Sequence, residues 1–290
     1  MRSNWIVRLP GLEQMLDSTL AELRINPCSW SSGISNKIVS DEEHESLVVE
    51  AVHRIKRKEF QKVVLSRIIE SKLKNADSDV VQTFAKAFPH SCAFWIPISD
   101  DEVWFGSSPE LLIEGNAGKW KTRSIAGTKS KNDSWGEKEK LEQDLVTEGI
   151  LNALEVTGAT HIQKGDRYTF KSGLIEHLCT DIQFEFSGDL KRLIDAIHPS
   201  PAILGAPKLE SMKWLQMNEP HNREWYTGTL EISWNDQIWV YAIIRCAKKN
   251  EDGIFWYVGG GITADSIAKN EVIETKNKVN SLEVALSSQM

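Results

Sequence analysis

Three β-rich runs lie close together near the C-terminus, and they constrain the fold more than any other feature of the sequence. Residues 228–234, 238–247 and 254–258 are rich in aromatic and β-branched side chains, and the segment NEDG at 250–253 predicts a hairpin turn between the last two runs. Strands joined by a hairpin are antiparallel. Such strands, with helices grouped between them, are typical of a layered α+β fold rather than a parallel Rossmann sheet.

Hydrophobic periodicity predicts the remaining elements. Apolar residues at steps of three and four predict helices at 44–58, 79–87, 136–156, 189–197, 207–216 and 266–286. Further β-rich runs predict strands at 62–69, 92–98, 103–106, 111–114 and 174–186. Residues 26–37 have the composition of a loop, which detaches a short N-terminal piece within residues 1–43. We interpret the whole chain, 1–290, as one catalytic domain that includes this piece.

Composition argues against several kinds of protein. The chain has 290 residues, of which 41% are hydrophobic, and this suffices to bury the core of a large globular domain. Its formal net charge is -7, so no nucleic-acid partner is indicated, and an anionic substrate would need local positive charge. No apolar stretch approaches the roughly 20 residues that cross a bilayer, and residues 1–15 lack the apolar core of a signal peptide. We therefore expect a cytoplasmic protein without a membrane partner.

The predicted helix at 136–156 places two carboxylates in line with its apolar stripe. Val146, Ile150 and Ala153 form this stripe at steps of four and three, and its backward extension reaches Glu142 and then Glu139. Carboxylates in line with a buried stripe are costly unless a cation or a metal compensates their charge. The alternative is a solvated first turn, in which the helix dipole favours glutamates.

The C-terminal helix repeats this arrangement. Ile267, Glu271, Glu274 and Lys278 fall on one stripe, and the helix follows three glycines at 259–261, where backbone can approach a ligand closely. Two helices that each offer an E-x-x-E pair would supply the hard oxygen ligands that Mg²⁺ prefers.

Two cations and one further carboxylate have apolar neighbours. Lys62 begins one predicted strand, and Arg245 is predicted near the end of another. A desolvated lysine can act as a base and an arginine can hold a carboxylate bidentately, although a structural ion pair explains either residue equally well. Glu110 follows a proline and precedes an apolar strand, where a carboxyl group can be kept protonated as a general acid. Taken alone, Glu110 is equally consistent with a surface glutamate.

Nine segments in order resemble the chorismate-utilising enzymes, a family that includes isochorismate, salicylate, anthranilate and aminodeoxychorismate synthases. The resemblance runs from about residue 44 to 286. The segments are KVVLSR (62–67), FGSSPELL (105–112), TRSIAGTK (122–129), EKEKLEQDLV (137–146), EHLCTDI (176–182), HPSPAILGAPK (198–208), REWYTG (223–228), IIRCAK (243–248) and GGGITADS with EVIETKNK (259–278). Each segment is weak evidence alone, but their shared order makes chance similarity very small.

The resemblance implies a fold and a set of site residues. The fold is a four-layer α/β/β/α sandwich. Glu142 and Glu274 would bind Mg²⁺, supported by Glu139 and Glu271 through metal-bound water. The residues expected to bind the small-molecule substrate chorismate are Gly127, Thr128, His177, Tyr226, Arg245, Gly261 and Lys278.

Three positions distinguish branches of the family. Isochorismate and salicylate synthases resemble this chain in having a lysine at the position of Lys62, whereas anthranilate synthases typically have glutamine there. Ala126 stands where aminodeoxychorismate synthases often carry a lysine that forms a covalent intermediate, and TEGILNAL (147–154) replaces the LARND of ammonia-using relatives. The resemblance therefore implies an isochorismate synthase that uses water and needs no glutamine amidotransferase subunit. Salicylate synthase and a catalytically silent chorismate-binding homologue are the alternatives.

The implied reaction needs one base and one acid. Lys62, neutral when it acts, would take a proton from the water attacking carbon 2 of the ring, while protonated Glu110 would donate to the hydroxyl leaving carbon 4. The product would enter menaquinone or siderophore synthesis. Two features motivate the silent alternative, namely Gln143 in place of a usual histidine and the short region, about 43 residues, before the family resemblance begins. Ser124 is a further departure, because it replaces a usual proline.

Overall fold

The computed structural model describes residues 5–34, 37–131, 133–172 and 175–287, and within these ranges the chain forms two antiparallel sheets. Sheet A consists of β1 (Ile6–Arg8), β2 (Leu16–Asp17), β4 (Lys62–Glu70), β5 (Cys92–Pro97), β6 (Val103–Ser108), β12 (Gly205–Ala206), β15 (Cys246–Asn250) and β16 (Gly253–Ile262). Its strand order is β12-β4-β16-β15-β6-β5-β1-β2. Sheet B consists of β3 (Glu22–Asn26), β7 (Leu111–Asn116), β8 (Lys119–Ser130), β10 (Tyr168–Ser172), β11 (Ile175–Glu185), β13 (Thr229–Trp234) and β14 (Gln237–Ala242). Its strand order is β10-β11-β8-β7-β14-β13-β3, and β9 (Thr160–Lys164) also pairs with β11.

All six predicted helices are present, with ends within three residues of the predicted ones. They are α1 (Asp41–Lys56), α2 (Val80–Ala87), α3 (Glu137–Thr157), α4 (Leu190–Ile197), α5 (Lys208–Asn218) and α6 (Ala268–Ser287). Helix α1 begins earlier than periodicity predicts because Ser40 and Glu43 form a reciprocal capping box, each side chain accepting from the other's backbone N–H. None of the helices in the described ranges is long and apolar enough to span a bilayer.

Neighbouring residues of β16 define the layers. Tyr257 packs in the core between the two sheets, with Trp104 of β6 and Leu230 of β13. Trp256 faces the other side of sheet A, where α2 and α6 contribute Phe84 and Val279. Helices α1 and α5 cover the same side of sheet A at β4, and α3 and α4 cover the outer side of sheet B. The predicted four-layer α/β/β/α sandwich is therefore confirmed.

The predicted strand at 238–247 is wrong as a single element. Strand β14 ends at Ala242 in sheet B, and β15 begins at Cys246 in sheet A, so residues 243–245 carry the chain from one sheet to the other. Arg245 has a left-handed backbone with φ of 49° and lies in this crossing rather than at the end of a strand. Continuous apolar sequence hid the change of sheet, because both strands face buried surroundings.

Several strands were not predicted. The N-terminal piece adds an edge to each sheet, since β1 pairs with β5 and β3 pairs with β13. The long strand β8, together with β9 and β10, has too many polar residues to show a clear alternation. Leu174, which the sequence analysis places in the strand at 174–186, and residues 35–36 of the predicted loop lie outside the described residues.

Candidate active site

One cavity gathers almost all of the predicted site residues. It encloses ≈ 940 Å³, part of it open to solvent, between the two sheets where α3 and α6 begin. Of the thirteen predicted residues, twelve line it: Lys62, Glu110, Gly127, Thr128, Glu139, Glu142, His177, Tyr226, Arg245, Gly261, Glu274 and Lys278. Glu271 alone does not line it, although its carboxylate lies beside Gly260, the neighbour of Gly261.

Two adjacent sheet-to-sheet crossings build one side of the cavity, which we call the crossover floor and define as Glu110, His177 and Arg245. Glu110 lies between β6 of sheet A and β7 of sheet B, and Arg245 lies between β14 of sheet B and β15 of sheet A. Backbone bonds lock the crossings together, because the Ala242 N–H donates to the Glu110 carbonyl at 3.0 Å and the Ser107 N–H donates to the Arg245 carbonyl at 3.1 Å. The floor is therefore held by backbone rather than by flexible side chains.

Glu110 is an acid whose charged form is disfavoured. The residue is only 4% exposed, and burial raises the pKa of its carboxyl group to about 8. The charges of Lys62, Arg245 and Arg123 act in the opposite direction without offsetting burial. At neutral pH the carboxyl group is therefore mainly protonated, the state that a general acid needs.

The floor also fixes the tautomer of His177. The Arg245 guanidinium can only donate, so its Nη2, 2.7 Å from His177 Nε2, requires that nitrogen to accept. The proton then resides on Nδ1, which donates to the Gly127 carbonyl at 3.2 Å, with Thr128 Oγ1 at 3.1 Å. Burial and the charges of Arg245 and Lys278 hold the pKa of His177 well below its ordinary value, which agrees with a neutral ring. Burial also lowers the pKa of Arg245, to about 10, so it stays charged at neutral pH.

Gly127 is needed for its backbone. The β8–β11 register shifts between His177 and Leu178, and Gly127 has no direct partner there and a φ of 72°. A Cβ at this position would lie 2.8 Å from the Glu139 carbonyl. A glycine therefore permits both the bulge and the close approach of α3 to the sheet.

Three glutamates from α3 and α6 line another side of the cavity, namely Glu139, Glu142 and Glu274. Together with the neighbouring Glu271 we call them the carboxylate wall. Glu142 Oε1 lies 2.8 Å from the Nζ of Lys62, whose side chain is 1% exposed. A Cβ at Gly261 would lie 2.5 Å from the same oxygen and 3.0 Å from Lys62 Cε. The glycine on β16 therefore leaves the space in which this lysine and glutamate meet.

The pKa values of the two α6 glutamates are shifted in opposite directions. Burial acts to raise the pKa of Glu274, but Lys278, whose Nζ lies 2.8 Å from Glu274 Oε1, holds it below its ordinary value. The pKa of Glu271 is raised, first by burial and then by repulsion from Glu274. Lys278 Nζ also donates to the Gly259 carbonyl at 2.7 Å and so ties α6 to β16.

Glu139 has a structural partner of its own. Its Oε2 accepts from the backbone N–H of Gly136 at 2.9 Å and thereby caps the first turn of α3. The alternative interpretation, in which glutamates are favoured by the start of the helix, therefore applies to Glu139. It does not apply to Glu142, because that carboxylate contacts Lys62. Glu139 still lines the cavity, so its support of a metal through water stays a prediction.

The carboxylate wall fits a hydrated divalent cation. Glu271 Oε2 is buried and has no hydrogen-bond partner among the described residues, a costly state for a carboxylate oxygen. Within those ranges no three His, Cys, Asp or Glu side chains converge as a closed metal cage. Mg²⁺ typically keeps several waters and takes only one or two protein carboxylates. That Glu142 and Glu274 are its direct ligands stays a prediction.

Lys138 lines the cavity but was not predicted. Its Nζ lies 3.5 Å from Glu271 Oε1. Burial acts to lower the pKa of Lys138, but the charges of Glu271, Glu142 and Glu274 raise it above its ordinary value. The residue stands in an alternating E-K-E-K run that is typical of a solvated helix, so the sequence carried no signal for it.

The two departures from the family pattern contact each other. Gln143 Nε2 donates to Ser124 Oγ at 3.1 Å, and Thr147 and Thr180 hydroxyls lie 2.8 Å and 3.0 Å from the same nitrogen. Neither Gln143 nor Ser124 lines the cavity. A proline at 124 would offer no side-chain oxygen, so the substitutions are compatible as a buried pair between α3 and sheet B.

Comparisons with known proteins identify a family and a fold. The family model described as chorismate binding enzyme matches residues 11–287. The chain is 27% identical to anthranilate synthase component 1 of Aquifex aeolicus, over 90% of this chain and 56% of that protein, and 27% identical to isochorismate synthase EntC of Escherichia coli, over 82% of this chain and 65% of that protein. It thus spans less than two thirds of the length of either relative.

The fold is similar to that of solved structures. DhbC of Bacillus anthracis, described as a 2,3-dihydroxybenzoate-specific isochorismate synthase, superposes with a TM-score of 0.78 over 98% of this chain and 84% of that chain, at 24% identity. At this identity the likeness concerns the fold alone. The family model, in contrast, matches nearly the whole sequence, and the chain therefore belongs to the chorismate-binding enzyme family.

Proposed function

We propose that this chain is an isochorismate synthase, which converts chorismate to isochorismate in a Mg²⁺-dependent reaction. The observation that carries the proposal is that Lys62 and a mainly protonated Glu110 line one cavity together with glutamates of the carboxylate wall. A base and an acid of this kind serve a reaction in which water adds to the substrate and a hydroxyl leaves it.

Each proton has a stated origin and destination. Water attacks carbon 2 of the ring and gives its proton to the Lys62 amine, the ring double bonds shift, and the hydroxyl on carbon 4 leaves as water with the Glu110 proton. Lys62 Nζ lies 2.8 Å from Glu142 Oε1, so this contact must open before the Lys62 amine can take a proton from the attacking water.

Binding and orientation come from the cations. Arg245 is fixed by His177, and Lys278 by Gly259 and Glu274, and we assign to these two cations the carboxylates of chorismate. The backbone at Gly127 and Thr128, together with Tyr226, would shape the pocket around the ring. A Mg²⁺ ion held by Glu142 and Glu274 would neutralise the charge of the ring carboxylate.

Sequence identity does not choose between the branches of the family, because anthranilate and isochorismate synthases are both 27% identical to this chain. Lys62 and Ala126, which both line the cavity, support water as the nucleophile and argue against a covalent lysine intermediate. On this basis we propose that the chain acts on chorismate without an amidotransferase subunit.

Product analysis in oxygen-18 water tests the proposal. Purified protein is incubated with chorismate and MgCl₂, and the products are separated by chromatography and weighed by mass spectrometry, with Glu110→Gln as the inactive control. Isochorismate carrying one solvent oxygen is expected.

Other products would identify the error. Salicylate would indicate a further elimination of pyruvate, and an aminated product in ammonium buffer would indicate the ammonia-using branch. Chorismate binding without any product would leave the silent homologue as the correct interpretation.

A further inference from the structure

We propose that Arg67 is a positioning residue, which fixes the Glu271–Glu274 turn of α6 against β4 and thereby sets the affinity of the carboxylate wall for a divalent cation. This inference rests on the metal site in the proposed function, but not on the reaction.

Arg67 lies on the strand that carries Lys62, but on its other face. Residues alternate along β4, so Lys62, Val64 and Ser66 share one face and Arg67 faces the helices that cover sheet A. The residue is 1% exposed although it carries a permanent charge. A buried guanidinium is costly unless its donors are well used.

Two of its three bonding groups are used on the glutamate turn. Arg67 Nη2 donates to the Val272 carbonyl at 3.2 Å, and Nε donates to Thr275 Oγ1 at 3.0 Å. The Thr275 hydroxyl in turn donates to the Val272 carbonyl at 2.8 Å, so the three groups form a closed set. Val272 directly follows Glu271, and Thr275 directly follows Glu274.

The third group supplies the counter-charge. Arg67 Nη1 lies 2.8 Å from Asp41 Oδ1 at the start of α1, and Asp41 also contacts Lys276 of α6. The planar guanidinium therefore joins β4, α1 and α6 in one fixed geometry. A lysine has a point charge on a flexible stem and cannot reproduce this fork.

The position of this turn matters for a metal. Mg²⁺ demands near-ideal octahedral geometry at about 2.0–2.1 Å, so small displacements of a ligand weaken binding. The turn sits close to β16, the partner of β4, because a Cβ at Gly260 would lie 3.4 Å from Glu271 Oε2 and 3.7 Å from Glu274 Oε1. The contacts of Arg67 thus set the distance of α6 from the sheet beside the metal ligands.

Calorimetric titration with Mg²⁺ alone tests the proposal without turnover. Arg67→Lys should bind Mg²⁺ at least about 10-fold more weakly than the wild type, the usual cost of losing a group that orients a metal ligand. Thr275→Val removes one acceptor without changing charge and should weaken Mg²⁺ binding in the same direction, by less than Arg67→Lys does. It carries the test if Arg67→Lys does not fold.

Leu193→Ala is the matched control, because Leu193 lies in the core between α4 and sheet B and does not line the cavity. It should lower the melting temperature but leave Mg²⁺ affinity unchanged. The proposal is overturned if Arg67→Lys and Thr275→Val both bind Mg²⁺ like the wild type. It is also overturned if Leu193→Ala loses as much Mg²⁺ affinity as these variants do. Wild-type protein that binds no Mg²⁺ refutes the metal site and this inference together. Wild-type protein that binds Mg²⁺ but makes no isochorismate refutes only the proposed reaction.

Discussion

Glu274 of the carboxylate wall and Glu110 of the crossover floor line one cavity, but their pKa values are shifted in opposite directions. On the wall, Lys278 lies 2.8 Å from Glu274 and holds the pKa of that carboxyl group below its ordinary value, although burial acts to raise it. On the floor, burial raises the pKa of Glu110 to about 8 despite the charges of Lys62, Arg245 and Arg123. The same residue type thus serves as an anion on one side and as a proton donor on the other.

The two sides are also built differently. The wall glutamates stand on helices, where a partner one turn away on the same face, such as Lys278, can contact them. Glu110 and Arg245 of the floor stand in chain crossings, where backbone hydrogen bonds fix their positions, and burial keeps Glu110 mainly protonated. Spacing along α6 therefore supplies the counter-charge of Glu274, whereas protonation of Glu110 is set by the surrounding fold.

The largest effect should come from removing a direct ligand on the wall. Glu274→Ala and Glu142→Ala each remove a proposed Mg²⁺ ligand, and since a metal supplies several kcal/mol of charge stabilisation we expect at least about a 10³-fold loss of turnover. Steady-state isochorismate formation with and without a chelator measures this. Glu137→Ala, an exposed glutamate on α3, should retain activity. Turnover that survives thorough chelation would remove the metal from the proposal.

Removing the proposed acid, Glu110, or the proposed base, Lys62, should lower turnover by less than removing a metal ligand. Glu110→Gln keeps the shape of the side chain but has no proton to give, and Lys62→Ala loses the base, so each should lower kcat by at least about 100-fold. Chorismate affinity in Mg²⁺, measured by calorimetry, should hardly change. Glu114→Gln, on the strand that follows Glu110, is the control. If Lys62→Ala loses chorismate binding as severely as Arg245→Ala, Lys62 is a carboxylate clamp and not the base.

The raised pKa of Glu110 predicts a dependence on pH. Between its ordinary value of 4.5 and about 8 the folded protein keeps this proton while the unfolded chain releases it. Stability therefore falls as pH rises through this window, and kcat/KM should decline above pH about 8. Urea unfolding of the wild type and Glu110→Gln at both ends of the window isolates this contribution, which the variant should lack. Equal pH dependence in the two proteins would show that Glu110 is not protonated in the fold.

The smallest effect should come from Glu139, because its carboxylate already caps α3. Glu139→Ala should lower stability by about 1 kcal/mol, whereas Glu139→Gln can still accept from Gly136 and should restore most of it. Thermal unfolding and Mg²⁺ titration separate the two roles. A stable Glu139→Gln protein that binds Mg²⁺ 10-fold more weakly, on the scale of a lost supporting ligand, would make this residue part of the metal site.

Much of the candidate site was predictable because its residues follow local rules or family motifs. The period of the apolar positions located all six helices, and the E-x-x-E spacing identified both glutamate pairs of the wall. The nine ordered segments identified the remaining residues by resemblance. Each of these signals lies within a short stretch of sequence, so it survives without knowledge of the fold.

Other features depended on residues distant in sequence. Lys138 contacts Glu271 only because the fold places α6 beside α3. Gln143 of α3 contacts Ser124 only because α3 packs on sheet B. The change of sheet between β14 and β15 cannot be seen in a continuous apolar run, because burial on either sheet selects the same residue types.

The sequence by itself determined the helices, the family and the identity of most cavity residues. Only the tertiary structure decided that Arg245 lies in a crossing, that His177 carries its proton on Nδ1 and that Glu110 is buried deeply enough to stay mainly protonated. The physical reason is that periodicity and spacing are properties of one segment, whereas desolvation and ion pairing depend on which segments the fold brings together.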